Sequence, residues 1–383
     1  MKSKFILIHH LFSLFLFVNF TFADDNFGSP GAFLRFGVGT RALALGNAFT
    51  AIADDATAVY WNPAGLIQMR NIQLNVQYSH LPFDRTFHFI GSVLPLRRVG
   101  SFGFSWIGYK VNNLEARQTN TLKPDYFFSN SENAFMISFG RQINSRLSMG
   151  GNFKWIYHSL DNRTASGYGF DAAILVTLIQ NLKMGIMIQD INTQKKWDNG
   201  FTDLFQQTIR IGASYHLAPY LLFSGEIENR WNEKPVRHFG VEIKSFNNLS
   251  VQIGMNKNRF TSGASLNIPL SNIDLKLGYG LTNSEIGDSY IHGFSLNLSF
   301  HKASSKSFSG MTTIESKNSV KRFEILANLL YVRDGPGMQH PVIDSVRKGE
   351  QFESRTQLRG WLKIRLRSSK TGWISGKYTR VIR

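Results

Sequence analysis

Residues 273–281 read Ile-Asp-Leu-Lys-Leu-Gly-Tyr-Gly-Leu. Ile273, Leu275, Leu277, Tyr279 and Leu281 alternate with Asp274, Lys276, Gly278 and Gly280, and side chains on a strand point to opposite faces in turn. The segment therefore has one continuous apolar face and one polar or Gly-lined face. The same pattern returns at 249–256, where Leu249, Val251, Ile253 and Met255 interleave with Ser250, Gln252, Gly254 and Asn256. It returns again at 71–78, where Ile72, Leu74, Val76 and Tyr78 interleave with Gln73, Asn75 and Gln77. One such segment fits a soluble sandwich as well as a membrane barrel.

Number and loop rhythm separate the two. About fourteen alternating segments lie near 71–78, 87–94, 100–109, 133–140, 147–157, 167–176, 182–188, 208–216, 221–229, 237–244, 249–256, 260–268, 273–281 and 291–300. An even count suits a single-chain bacterial barrel. Connections after odd-numbered segments include the long stretches 110–132 and 190–207. Those after even-numbered segments are tight, as at Pro95 to Val99, Arg141 to Arg146, Leu217 to Tyr220, Ser245 to Asn248 and Pro269 to Asn272. Long outer loops and short periplasmic turns are the barrel habit. The connection at Lys257 to Arg259 is the one expected break in that rhythm.

Charge parity agrees. Lys154, Asp171, Lys183, Arg210, Glu226, Glu228, Glu242, Asp274 and Lys276 all fall on the polar face, and a Lys or Arg facing lipid at the midplane costs about 2–4 kcal/mol. Their mixed signs predict a lumen of paired charges. Trp155, Tyr157, Tyr78 and Tyr215 sit where an interfacial aromatic girdle belongs. The last segment, Gly293-Phe294-Ser295-Leu296-Asn297-Leu298-Ser299-Phe300, ends on an aromatic and resembles the closing strand of outer-membrane barrels. The expected fold is all-β: an antiparallel transmembrane β-barrel of about fourteen strands over 71–300.

The N-terminus reads Met-Lys-Ser-Lys, then an apolar run through Leu11, Phe12, Leu14 to Val18, then Thr21-Phe22-Ala23. This is the pattern of a secretory signal peptide over 1–23, its core too short for a transmembrane span. Cysteine is absent, which excludes disulfides, thiolate metal sites, a Cys nucleophile and a lipid-modified Cys anchor. No Ser-His-Asp spacing, HExxH motif or phosphate loop stands out, so the sequence offers no catalytic residues and implies no enzyme, cofactor or metal.

Residues 24–70 form a separate segment before the barrel. Within 36–66, Ala42, Ala44, Gly46, Ala48, Ala51 and Ala53 predict a compact helix, stopped by Asp54-Asp55 and then by Asn62-Pro63-Ala64-Gly65. The stretches Arg41-Ala42 to Gly46 and Ala48, Ala53-Asp54-Asp55 and Trp61-Asn62-Pro63-Ala64-Gly65-Leu66 resemble the N-terminal signature of the FadL and PorV/PorQ families of outer-membrane barrels. The PorV-like branch is the nearer. The resemblance implies fourteen strands and an N-terminal hatch in the lumen, with Asp54, Asp55, Asn62, Pro63, Ala64 and Gly65 as hatch or gating candidates. Asp54 and Asp55 suit helix-end solvation and salt bridges to the wall better than a metal pair. FadL-type members pass hydrophobic molecules, whereas PorV-like members hold exported proteins.

The formal charge of +17 is uneven, because residues 302–383 carry 17 basic and 6 acidic side chains. Ser-, Lys- and Thr-rich residues 301–322 read as a linker. Beyond them, Leu330-Tyr331-Val332-Arg333-Asp334-Gly335-Pro336-Gly337, Val342-Ile343, Arg347-Lys348-Gly349, Gly360-Trp361-Leu362-Lys363-Ile364 and Thr371-Gly372-Trp373-Ile374-Ser375-Gly376-Lys377-Tyr378 resemble a bacterial SH3 (SH3b) domain over 323–383. Tyr331 departs from that family, which usually has Asn there. The resemblance implies a small non-catalytic β-barrel that binds cell-wall glycan or peptide. Its candidates are Arg333, Lys348, Trp361, Lys363, Trp373 and Tyr378, with Arg365 and Arg367 as further cations, although aromatics in so small a domain are more readily core.

The expected partners are outer-membrane lipid and peptidoglycan, together with exported proteins or a hydrophobic ligand. An exported chain rarely meets nucleic acid, so the basic tail does not imply it. If the first strand rises from the periplasm, the fourteenth returns there, and the tail lies beneath the outer membrane.

Overall fold

The computed structural model describes residues 29–301 and 321–382, apart from 97–98, 232, 246–247, 285–288, 339, 355–356, 359 and 367–370. The expected signal peptide, most of the linker and Arg367 lie outside the described residues. The chain falls into two compact units divided between Lys302 and Ala303.

The first unit is a closed antiparallel barrel. Its strands are β1 (Ile72–Leu81), β2 (Arg85–Leu96), β3 (Gly100–Ala116), β4 (Tyr126–Gln142), β5 (Leu147–Leu160), β6 (Arg163–Ile179), β7 (Leu182–Trp197), β9 (Thr208–Ala218), β10 (Leu221–Arg230), β11 (Val236–Lys244), β12 (Leu249–Asn256), β13 (Arg259–Pro269), β14 (Ile273–Asn283) and β15 (Tyr290–Phe300). Each pairs with its neighbour, and β1 closes on β15 with Ile72 opposite Phe300. The three-residue β8 (Thr202–Leu204) lies outside the ring and, among the described residues, pairs only with β7. The fourteen expected strands are all present.

Burial decides between barrel and sandwich. In β1, Val76 and Tyr78 are 38% and 42% exposed while the intervening Gln77 and the following Ser79 are 2% exposed. Apolar side chains face out and polar ones face in, the reverse of a water-soluble sheet. The outer face carries Phe104, Phe135, Ile137, Phe153, Trp155 and Tyr157 in the same exposed state, which is the surface lipid requires. Among the described residues, no helix is long and apolar enough to cross a membrane.

Two loop expectations are corrected. The stretch 110–132 is mostly strand, because β3 runs to Ala116 and β4 begins at Tyr126; likewise β7 runs to Trp197. A strand needs about 9–11 residues to cross the hydrocarbon, and β3, β4, β6 and β7 have 16 or 17. The excess stands in water, where both faces tolerate polar residues, so Lys110-Val111-Asn112-Asn113 lost the alternation by which strands are recognised. The break at 257–259 is also not unique. On the rim of the longer connections those at 82–84, 161–162 and 257–258 are all tight, while those on the opposite rim hold two to four residues.

The second unit holds two small sheets. One is ordered β19 (Gln351–Ser354), β16 (Lys321–Ile325), β23 (Thr379–Ile382). The other is ordered β18 (Val342–Arg347), β17 (Leu329–Arg333), β22 (Thr371–Ser375), β21 (Trp361–Arg365), β20 (Gln357–Leu358). Phe323, Ile325, Leu330, Val332, Val346, Leu362, Ile364, Leu366 and Ile374 form its core.

Candidate functional site

Residues 29–71 fill the barrel lumen. The single helix expected through 41–53 is not formed. A helical turn at Thr40–Ala44 ends in left-handed Gly46 and Asn47 at φ 65° and 68°, and further turns lead to the helical turn Ala58–Trp61. A side chain at Gly46 would put Cβ 2.4 Å from the Met255 oxygen of the wall, so only glycine lets the hatch backbone lie there. The Asn62-Pro63-Ala64-Gly65 signal starts a 3-10 turn, Pro63–Gln68.

So irregular a backbone needs partners for its N–H and C=O groups inside a membrane protein, and inward polar side chains of the wall supply them. Asn152 donates to the Val59 oxygen at 3.0 Å, Ser214 to Ala51 at 3.0 Å and Thr261 to Ala44 at 2.9 Å, while Glu226 accepts from the Thr50 N–H at 2.9 Å. The wall glycines let the hatch approach. A Cβ at Gly140 would meet the Pro63 oxygen at 2.3 Å, and one at Gly150 would meet the Pro63 carbon at 2.4 Å. The Gly-lined face read from sequence is thus the seat of the hatch.

Of the gating candidates, Asn62 is the junction. It is fully buried; its Oδ1 caps the 3-10 turn at Ala64 N (3.0 Å), and its Nδ2 donates to Thr50 O (2.8 Å) and to Ile174 O of the wall (3.1 Å). Pro63, Ala64 and Gly65 are buried beside it. Asp54 and Asp55 both meet Arg41 Nη1, at 2.5 and 3.6 Å. Arg41 in turn grips the fully buried wall residue Glu242 through Nε and Nη2 at 2.9 and 2.7 Å. The aspartates therefore reach the wall through a hatch arginine rather than directly.

Of the nine charges placed on the polar face, Lys154, Asp171, Arg210, Glu226, Glu228 and Glu242 stand in ion pairs as expected, whereas Lys183 and Lys276 have no ion pair among the described residues. Arg210 contacts Glu226 (2.8 Å) and Glu228 and lies over Trp61 of the hatch, 5.1 Å from its ring centre. Lys154 contacts Asp171 (2.8 Å) and Asp190. Asp190 and Asn192 are left-handed, and β7 slips register against β6 twice nearby, bulges that turn Asp190 inward. Lys183 bonds Gln68, and Asp274 meets His301 at 2.7 Å.

A feature that sequence reading missed lies at the rim of the longer connections. There a vestibule of about 550 Å³ is floored by Ser29 to Phe36 and walled by seven or more strands and by Asp203 of β8. Lys195 bridges Glu132 (3.4 Å) and Asp203 (3.7 Å) and contacts His158 Nδ1 at 2.6 Å. Trp197 Nε1 holds Asp203 at 2.8 Å, and buried Phe205 packs on Gly31. These residues come from five or more elements far apart in the chain, so no local spacing announces them.

In the second unit, Arg333 stands opposite Trp373 on β22, and Trp373 stands opposite Lys363 on β21. Lys363 Nζ lies 6.0 Å from the Trp373 ring centre, and Trp361 shares its strand face two residues away. These four form one strip. Lys348, in the turn after β18, and Tyr378, in the 3-10 turn Gly376–Tyr378, belong to other elements. The expectation that the aromatics are core is corrected: Trp361, Trp373 and Tyr378 are all outside the core, because Leu362, Ile364 and Ile374 take the inward parity.

Comparison with known proteins bears on both units. Residues 328–380 match the bacterial SH3 domain family. No curated protein matches the chain. Among solved structures, the CymD monoaromatic hydrocarbon channel aligns at 12% identity, covering 70% of this chain and 99% of that one, with TM-score 0.50. The toluene transporter TodX of Pseudomonas putida aligns at 12% identity over 69% and 96%, TM-score 0.49. A FadL homologue of Pseudomonas aeruginosa aligns at 10% over 68% and 96%, TM-score 0.47. At such identities the likeness is one of fold. The chain is a fourteen-stranded barrel with the FadL-like fold of CymD, followed by a bacterial SH3 domain at 328–380.

Proposed function

We propose that the protein is a non-enzymatic outer-membrane barrel that acts in passage or export across that membrane past an N-terminal hatch, and that its SH3 domain binds peptidoglycan in the periplasm. The observation that carries this reading is a lipid-facing barrel whose lumen is stoppered by a segment clamped through Arg41 to Glu242. A barrel stoppered in this way opens only when the clamp yields. The paired ends Ile72 and Phe300 put the hatch exit and the tail exit at the same rim, that of the short turns, which supports a periplasmic tail. For the SH3 domain the support is the strip of Arg333, Trp361, Lys363 and Trp373, where aromatic rings and cations suit anionic glycan or peptide.

The PorV-like alternative, holding exported polypeptides, and the FadL-like one, admitting a hydrophobic compound, share this architecture. CymD is named as a monoaromatic hydrocarbon channel, but among the described residues the vestibule here is lined by three carboxylates and five basic side chains, which speaks against an uncharged hydrocarbon as the ligand.

Purified sacculi should retain the full-length protein in a pull-down and lose a chain ending at Phe300. Equal retention of the two would refute the wall-binding half of the proposal.

A further inference from the structure

We propose that the outer vestibule is a binding site for a small hydroxylated anion, a sugar acid or a sugar phosphate, whose charged group is held at Arg85, with Arg35 on the floor of the same cavity as a second cation. The proposal deepens the passage reading by giving the cargo, or an occupant of its entry, a chemical class.

Six basic side chains of the described barrel are buried: Arg41, Arg85, Lys154, Lys195, Arg210 and Arg230. Five contact carboxylates, Arg230 through Glu228 at 2.7 Å and Glu233 at 2.8 Å. Arg85 is the exception. It is 7% exposed, its Nε bonds the Pro82 oxygen at 2.7 Å, its Nη2 has no hydrogen-bond partner, and no carboxylate among the described residues lies within ion-pair distance. A buried guanidinium left so costs free energy, and it stands on the wall of the vestibule. On the floor, Arg35 is tied only by Nη2 to the Pro30 oxygen at 3.3 Å and also lacks a carboxylate partner among the described residues. Lys195 and Arg230 are neutralised within the lining by Glu132, Asp203 and Glu228, so among the described residues the cavity keeps an uncompensated positive charge.

An apolar ligand would strip water from Arg35 and Arg85 and return nothing. An oxyanion can pair with either through charge-assisted hydrogen bonds. The body of the ligand is constrained as well. Asn47, also in the lining, keeps a buried Oδ1 without a donor, and a hydroxyl supplies one. Trp197 and Tyr109 line the same cavity. The volume of about 550 Å³ suits one or two rings.

The test is calorimetric titration of the full-length protein in detergent micelles with glucuronate, glucose 6-phosphate and glucose. The expected result is saturable binding of at least one anion, with the two arms separating carboxylate from phosphate, and glucose weaker by about thirtyfold or more. Arg85→Gln and Arg35→Gln should each weaken that anion about tenfold or more, the worth of a charge-assisted pair. Arg85→Gln should unfold no earlier than the parent, since it removes an uncompensated buried charge. That second readout distinguishes a binding arginine from a structural one. Binding of both anions no tighter than glucose, parental affinity in both variants, or sulfate displacing the sugar anion with equal strength would each overturn the site. Because binding in micelles is independent of cargo passage and of the cell wall, its failure is distinguishable from failure of the passage reading.

Discussion

Arg41→Met should unseat the hatch. The side chain joins three carboxylates, and its bidentate contact with Glu242 is the strongest link from hatch to wall. Without it, Glu242 stays fully buried with Gln252 Nε2 (3.0 Å) as its remaining side-chain donor, and Asp54 loses its cation. Breaking a buried pair from one side costs about 3–5 kcal/mol because a charge is left uncompensated, whereas replacing the whole pair by apolar or neutral groups is far milder. The variant should therefore show raised conductance in planar bilayers and a lower unfolding temperature. Adding Glu242→Gln to it should restore part of both, the signature of a coupled pair in a double-mutant cycle. A single variant as closed and as stable as the parent would mean that the other contacts between hatch and wall hold it without this clamp.

Gly150→Val and Gly254→Val should be nearly as damaging, for a steric reason that runs against strand propensity. Valine favours strands and glycine weakens them, so an ordinary barrel strand would gain by the change. Here the added Cβ would stand 2.4 Å from the Pro63 carbon and 2.5 Å from Ala64 N in one case, and 2.3 Å from Gly46 N in the other. All three atoms are hatch backbone, which cannot swing aside as a side-chain tip does. Overpacking commonly costs about 1–3 kcal/mol, and a backbone collision on both sides of the hatch lies at or above the top of that range. Gly225→Val is the control, since its nearest neighbours are Phe239 ring carbons at 3.8 Å; it should be neutral or stabilising. Thermal unfolding of the three variants checks the order, and equal behaviour of Gly150 and Gly225 would contradict the docking of the hatch against β5.

What the sequence discloses of this fold follows from which interactions repeat. Alternation repeats in every strand that crosses lipid, so the count of fourteen and the inward parity of Lys154, Asp171, Arg210 and Glu242 can be read from one dimension. Where β3 and β4 leave the membrane the solvent is the same on both faces, the constraint disappears, and Lys110 to Glu132 reads as a loop. The alanines at 42–53 promise a helix because alanine favours one, yet Gly46 and Asn47 take left-handed conformations imposed by the wall at Met255, a contact more than 200 positions away. The vestibule is the least legible part. Arg35 and Arg85 line one cavity only because the ring closes around the hatch, and neither stands in a motif. In the SH3 domain the order of the sequence blocks sufficed for the fold, while the outward parity of Trp361 and Trp373 had to be read from the register of β21 with β22.

The central claim is that residues 72–300 form a closed, membrane-inserted barrel, and gel migration of an outer-membrane fraction tests it most directly. Unboiled, the protein should run at an anomalous position because the hydrogen-bonded ring from β1 to β15 resists detergent, and boiling should move it to the position of its 43.4 kDa chain or of the slightly shorter chain left by signal cleavage. Identical migration before and after boiling, or recovery of the protein in the soluble fraction, would contradict the account.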